Sequence, residues 1–384
     1  MAEATAIQAS EEHAALLTNP YRRKEIEIGE LAAIVADALA FSPPLFPNSI
    51  LGHPWTWIPP HPRWSEFNIV SIQQILRSVQ YLLDVTVPAL PFALPKGIPL
   101  VGESVFWRPT TILYEPGIDY NPYAFPEEAW IFINGIATNQ PLSRMNAKFL
   151  VHLFHRPLTI VQNATDSVGI DLVEASLGKA WDVHTEPAAK AYPFIHRALH
   201  NPEKQRVVVI CHSQGTIIMS NVLRALLTEE YRAVLDEAGK RGGFIADNEG
   251  CDPLEDLEVL KKLEIYNFAN AASLMSHMPE VTTDQGNPVP WIENFGNQYD
   301  LVARTGMLAP NKEKHGIRID GGHYVKKGMW GHILNVHYLY GINDHLKAPN
   351  KRRNDYILTN GATSGAPERP RLYEYFQGAT PEPY

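Results

Sequence analysis

Ser213 lies in Cys211-His212-Ser213-Gln214-Gly215, where residue types and spacing suit a nucleophilic hydroxyl. The preceding run, Arg206-Val207-Val208-Val209-Ile210, is β-branched and apolar, as a strand buried on both faces is. The following stretch, from Gln214 through Asn221, is compatible with a helix. A serine between such a strand and such a helix has the strand–turn–helix setting of a nucleophile elbow. The turn is tight enough to require small residues two before and two after the serine. Gly215 meets this, and Cys211 is small but stands where glycine is usual. The plainer alternative is a serine that only caps a helix.

A nucleophilic serine needs a base, and the base needs an orienting acid. The acids to weigh downstream are Asp300, Glu293 and Asp320; the histidines are His315, His323, His332 and His337. His212, beside the serine, reads as structural. No His-Glu-x-x-His or comparable ligand spacing occurs among the fifteen histidines, so neither a metal nor a cofactor is expected.

These residues need a scaffold. From about residue 103, short β-branched and aromatic runs alternate with longer amphipathic ones. The expected strands are Thr110–Tyr114, Ala129–Asn134, Leu158–Asn163, Arg206–Cys211, Leu263–Phe268 and Ile292–Gly296, with Ile317–Ile319 weaker. The expected helices are Ser143–Phe154, Ile170–Lys179, Ala189–His200, Gln214–Gly239 and Gly331–Tyr340. Alternation of this kind implies an α/β fold with a doubly wound, mostly parallel sheet.

The serine segment, in this order of elements, resembles the α/β-hydrolase superfamily, in particular its lipase- and esterase-like members. The resemblance covers about residues 103–345. It implies the chain order Ser, then acid, then His, which selects Asp300, just past the strand around Ile292–Gly296. It also selects His332, after Gly331 and at the start of a helix-like run, with His323 in Gly-Gly-His-Tyr as its rival. It implies an oxyanion hole from the backbone N–H of Gln214 and of Ile136, the latter after Asn134-Gly135, where related enzymes commonly carry His-Gly. A bare Asn-Gly turn is the alternative there. The implied activity is cofactor-free hydrolysis of an ester, lactone or thioester through an acyl-enzyme. Two other functions fit the same residues: acyl transfer, and non-catalytic binding of an apolar ligand on a hydrolase scaffold.

Beyond this core, residues 1–102 form an extension. Glu25–Leu39 and Ser71–Leu83 read as helices. The aromatic run Ser42–Trp64 and the proline-broken run Val85–Val101 suit a lid, a cover for one sheet face or a peripheral membrane contact. Residues 346–384, rich in Gly, Pro, Thr and Asn, are expected to be an irregular tail. The net charge of −9 and the lone basic cluster Lys351-Arg352-Arg353 give no electrostatic reason for a nucleic-acid partner. Two cysteines, Cys211 and Cys251, are too few for a disulfide framework. Met1–Asn19 lacks the pattern of a secretory signal, and no apolar run reaches the roughly 20 residues of a membrane span. The expectation is an intracellular, cytoplasmic protein acting on an apolar small-molecule or lipid ester.

Overall fold

The computed structural model describes residues 110–135, 138, 140–163, 185–241, 254, 256–347 and 356–384. From the N-terminal region it describes residues 19, 21, 33–34, 37, 46–52 and 64–66. The expected helices Ile170–Lys179 and Ser71–Leu83, most of Glu25–Leu39 and of Ser42–Trp64, the run Val85–Val101, and Ile136, Cys251 and Lys351–Arg353 lie outside these residues.

The β-branched runs form the middle of an eight-stranded sheet. Its strands are β1 (Thr111–Glu115), β2 (Glu128–Ile133), β3 (Leu158–Gln162), β4 (Arg206–His212), β5 (Leu263–Phe268), β6 (Trp291–Asn297), β7 (Gly322–Lys326) and β8 (Ile357–Leu358). Their spatial order is β1-β3-β2-β4-β5-β6-β7-β8. The six inner strands are parallel, and β1 and β8 pair antiparallel at the edges. The chain leaves β2 sideways to β3, then returns across β2 to β4. Right-handed crossovers in opposite directions place the intervening helices on opposite faces. Accordingly α1 (Gln140–Phe154) packs against C-terminal segments, whereas α2 (Thr185–His200), α3 (Gln214–Leu227) and α4 (Glu229–Arg241) pack together. The reversal lies between β2 and β4. In such sheets the carboxyl ends of the strands at a reversal are the usual ligand position.

Three expectations change. Gln214–Gly239 is two helices, because Thr228 is extended and its hydroxyl donates to the Arg224 carbonyl at 2.7 Å. Glu229 and Glu230 then open α4, where negative charge suits a helix N-terminus. Ile317–Ile319 contributes only Arg318–Ile319, paired with Leu274–Met275 outside the main sheet. Gly331–Tyr340 begins with extended backbone; a π-helical turn, Leu334–Leu339, leads into α5 (Tyr340–Lys347).

The C-terminal residues are more ordered than their composition suggests. Residues 356–384 supply β8 and a kinked 3-10 helix, Arg371–Gly378, with Leu372 and Tyr375 fully buried. The cause lies at the amino ends of the strands, where Glu128, Glu264 and Glu293 are buried. Buried carboxylates require donors and cations. Arg371 pairs with Glu264 at 3.2 Å, and Tyr375 donates to Glu264 at 2.7 Å. The backbone N–H groups of Arg371 and Leu372 donate to Glu293 at 2.6 and 3.2 Å. Burial raises the Glu293 carboxyl to about 8.

Candidate active site at the carboxyl ends of the strands

β4 delivers Ser213 to the carboxyl end of the sheet, and its backbone there is strained, with φ 57° and ψ −125°. A non-glycine residue adopts this only where its surroundings hold it. The Ser213 N–H donates to the Phe268 carbonyl at 2.9 Å, and its own carbonyl accepts from the Thr216 N–H and hydroxyl at 2.9 and 2.7 Å. Gly215 has no room for a side chain: a Cβ there would lie 2.3 Å from the Ile133 carbonyl oxygen. A Cβ on Gly135 would lie 2.5 Å from the Ser213 Cβ. The two glycines let the end of β2 and the start of α3 close on the serine. Cys211 is fully buried and unpaired.

Asp300 follows β6 and His332 follows β7. His332 Nε2 lies 2.8 Å from Ser213 Oγ, and His332 Nδ1 lies 2.8 Å from Asp300 Oδ2. The structure thus brings together Ser213, His332 and Asp300 in one hydrogen-bonded line. Asp300 is fully buried, and the N–H groups of Val302 and Ala303 donate to its Oδ1 at 2.8 and 3.4 Å. Tyr338 donates to Oδ2 at 2.5 Å, and its oxygen accepts from the Asn297 N–H at 3.2 Å. Burial, reinforced by Asp300, pushes the Tyr338 phenol well above its ordinary value, so it stays a donor. With Oδ2 accepting from Nδ1–H, His332 presents the Nε2 lone pair to the serine hydroxyl, the arrangement general-base catalysis requires.

The histidine is held from several sides. Gly331, at φ +97°, accepts from Asn297 Nδ2 at 2.9 Å, and a Cβ there would meet the His337 ring at 2.6 Å. His212 stacks on His332 with ring centroids 4.7 Å apart, and its Nε2 lies 2.8 Å from the His332 carbonyl oxygen. A carbonyl only accepts, so His212 carries its proton on Nε2. Burial holds His212 well below the ordinary histidine range, and it remains neutral.

Of the expected oxyanion donors, Gln214 opens α3 directly after the serine, with its N–H at the positive end of the helix. Ile136 lies outside the described residues. The Asn134 side chain accepts from the Asn163 N–H at 2.7 Å, and Asn163 Nδ2 donates to Gln214 Oε1 at 2.5 Å. This chain joins the ends of β2 and β3 to the first residue of α3.

The competing residues are elsewhere. Glu293 receives the C-terminal helix. Asp320 accepts from Ser276 Oγ and pairs with Arg318 at 3.1 Å. His323 sits on β7 with Nε2 3.1 Å from the Ile319 carbonyl oxygen, and burial lowers it to about 4. His315 contacts Asp37 at 2.9 Å. His337 Nδ1 accepts from the Ile333 N–H at 3.0 Å, and burial lowers it to about 3. Sequence reasoning missed Tyr338, Asn297 and Asn163. The first two lie at a strand end and inside a helix-like run, without local signature. Asn163 does end an expected strand, as Asn134 does, and that shared position is the signal available.

Ile217, Ala271 and Val302 form a buried apolar cluster separate from the main core, with Ile50 packed against it. Among the described residues, no three His, Cys, Asp or Glu side chains gather as a metal would need, and no helix is long and apolar enough to cross a membrane. No protein-family model and no curated protein sequence matches the chain.

Proposed function

We propose that this protein is a serine hydrolase of the α/β-hydrolase type that cleaves esters of apolar substrates. One observation carries the reading: the Ser213–His332–Asp300 line, with 2.8 Å at both joints. A non-catalytic scaffold has no need of base geometry at a strained serine. The strand order, with the reversal between β2 and β4 beneath the serine, supports the same assignment.

In the proposed reaction, Ser213 Oγ attacks the ester carbonyl carbon as its proton passes to His332 Nε2. Asp300 keeps the imidazole oriented and stabilises the imidazolium. The oxyanion forms against the Gln214 N–H and, by the resemblance, that of Ile136. Collapse of the intermediate breaks the bond to the alcohol oxygen, which leaves with the proton from His332. Water, deprotonated by His332, then releases the acid and restores the hydroxyl. The apolar, aromatic and proline-broken runs Ser42–Trp64 and Val85–Val101 motivate the apolar substrate.

The test is turnover of p-nitrophenyl esters and labelling by a fluorophosphonate, in wild type and Ser213→Ala. Wild-type protein that neither turns over esters nor is labelled sinks the proposal. Product analysis with added alcohol or amine acceptors separates hydrolysis from acyl transfer.

A further inference from the structure

The N-terminal region reaches the site at two points, at His332 itself and at the turn that follows it. The carbonyl of Ile50, in the short helix Phe46–Leu51, accepts from the His332 N–H at 2.8 Å. At the turn, the Glu66 carboxyl accepts from the N–H groups of Asn335 and Val336 at 2.7 and 3.2 Å. The Trp64 carbonyl accepts from Asn335 Nδ2 at 2.9 Å. The Trp64 ring stacks on Phe149 and His152 of α1, with centroids 5.7 Å apart in each pair.

These contacts fill a need set by the chain itself. The turn Leu334–Leu339 follows extended backbone at Ile333, and that residue gives no side-chain cap. The first N–H groups of a helical turn lack partners within it. Here one goes to His337 and two go to Glu66, a residue 269 positions upstream of Asn335 and 4 % exposed.

We infer that Ile50 and Glu66 together clamp the histidine loop in its reactive position, with Glu66 as a positioning residue. The inference rests on the hydrolase reading. It gives this part of the extension a role in catalysis distinct from covering a face of the sheet or closing over substrate. Glu66 acts through the backbone, fixing the turn that begins two residues after His332. Small displacements of a base are costly, since about 1 Å of misplacement lowers rates on the order of a hundredfold. Burial raises the Glu66 carboxyl to about 8; its Oε1 accepts from the Asn335 N–H and its Oε2 from the Val336 N–H, so glutamine would keep one of the two acceptors.

The test uses the full chain with Glu66→Ala, Glu66→Asp and Glu66→Gln. Fluorophosphonate labelling rates and ester kinetics are measured per folded molecule, well below each melting temperature. The clamp predicts that Glu66→Ala and Glu66→Asp lower kcat and the labelling rate by on the order of tenfold or more. KM stays within about twofold, and Glu66→Gln, which keeps one acceptor oxygen, loses less rate than Glu66→Ala. Wild-type rates in folded Glu66→Ala or Glu66→Asp overturn the inference. Hydrogen exchange on the wild type tests it without any variant: the amides of His332, Asn335 and Val336 are expected to be protected as a set. Rapid exchange at all three overturns the clamp. Unlabelled wild-type protein with those amides protected contradicts the hydrolase reading instead.

Discussion

Asp300→Asn is nearly isosteric, yet the surroundings of Asp300 fix how the amide must sit. Val302 and Ala303 donate their N–H groups to Oδ1 at 2.8 and 3.4 Å, so the amide oxygen belongs there. The flipped rotamer would set an NH2 group 2.8 Å from the Val302 nitrogen, donor against donor. The amide nitrogen therefore takes the place of Oδ2, 2.8 Å from His332 Nδ1. It can only donate, and His332 must move its proton to Nε2, toward the serine. In that tautomer the imidazole cannot take the serine proton. Tautomer trapping of this kind costs on the order of 10⁴ in kcat, or about 5 kcal/mol of barrier. Tyr338 also loses an acceptor for its buried hydroxyl, which adds about 1–3 kcal/mol of instability. Initial rates on p-nitrophenyl esters, second-order labelling rates and urea denaturation measure both effects. A folded Asp300→Asn protein within tenfold of wild-type activity would refute the reasoning.

Gly135→Ala sets a Cβ 2.5 Å from the Ser213 Cβ and 2.8 Å from the His212 carbonyl oxygen. It is expected to lower kcat/KM by on the order of a hundredfold and stability by about 1–3 kcal/mol, read from kinetics and denaturation. Arg371→Ala leaves the buried Glu264 carboxylate without its 3.2 Å partner. A stability loss of about 3 kcal/mol is expected, with activity retained below the melting temperature; urea titration and ester assays check this. Glu66 has a folded pKa of about 8, above its ordinary 4.5, so its stabilising share is complete below 4.5 and lost as pH rises through 8. Glutamine does not ionise. The melting temperature of Glu66→Gln minus that of wild type is therefore expected to climb between pH 5 and 8, and a difference flat with pH would contradict the assignment.

The sheet centre was legible in sequence because strands buried on both faces leave unbroken apolar runs such as Val207–Ile210. β7 was not. Gly322-His323-Tyr324-Val325-Lys326 is polar and glycine-led, and its pairing with β6 and β8 makes it a strand. The same ambiguity kept His323 as a rival to His332, since both sit behind glycines. It is resolved in space: His323 points to the Ile319 carbonyl, and His332 lies against Ser213. The ordered tail escaped detection because its partners, Glu264 and Glu293, lie about a hundred positions away, and composition carries no trace of such pairings. For the same reason the contacts of Ile50 and Glu66 with the histidine loop had no local signature.

The most direct test of the central claim is mass-spectrometric mapping of the fluorophosphonate adduct. The account predicts one stoichiometric adduct, on Ser213, absent in Ser213→Ala and slowed by on the order of 10⁴ in Asp300→Asn. An adduct on another residue, or labelling that persists in Ser213→Ala, would contradict it.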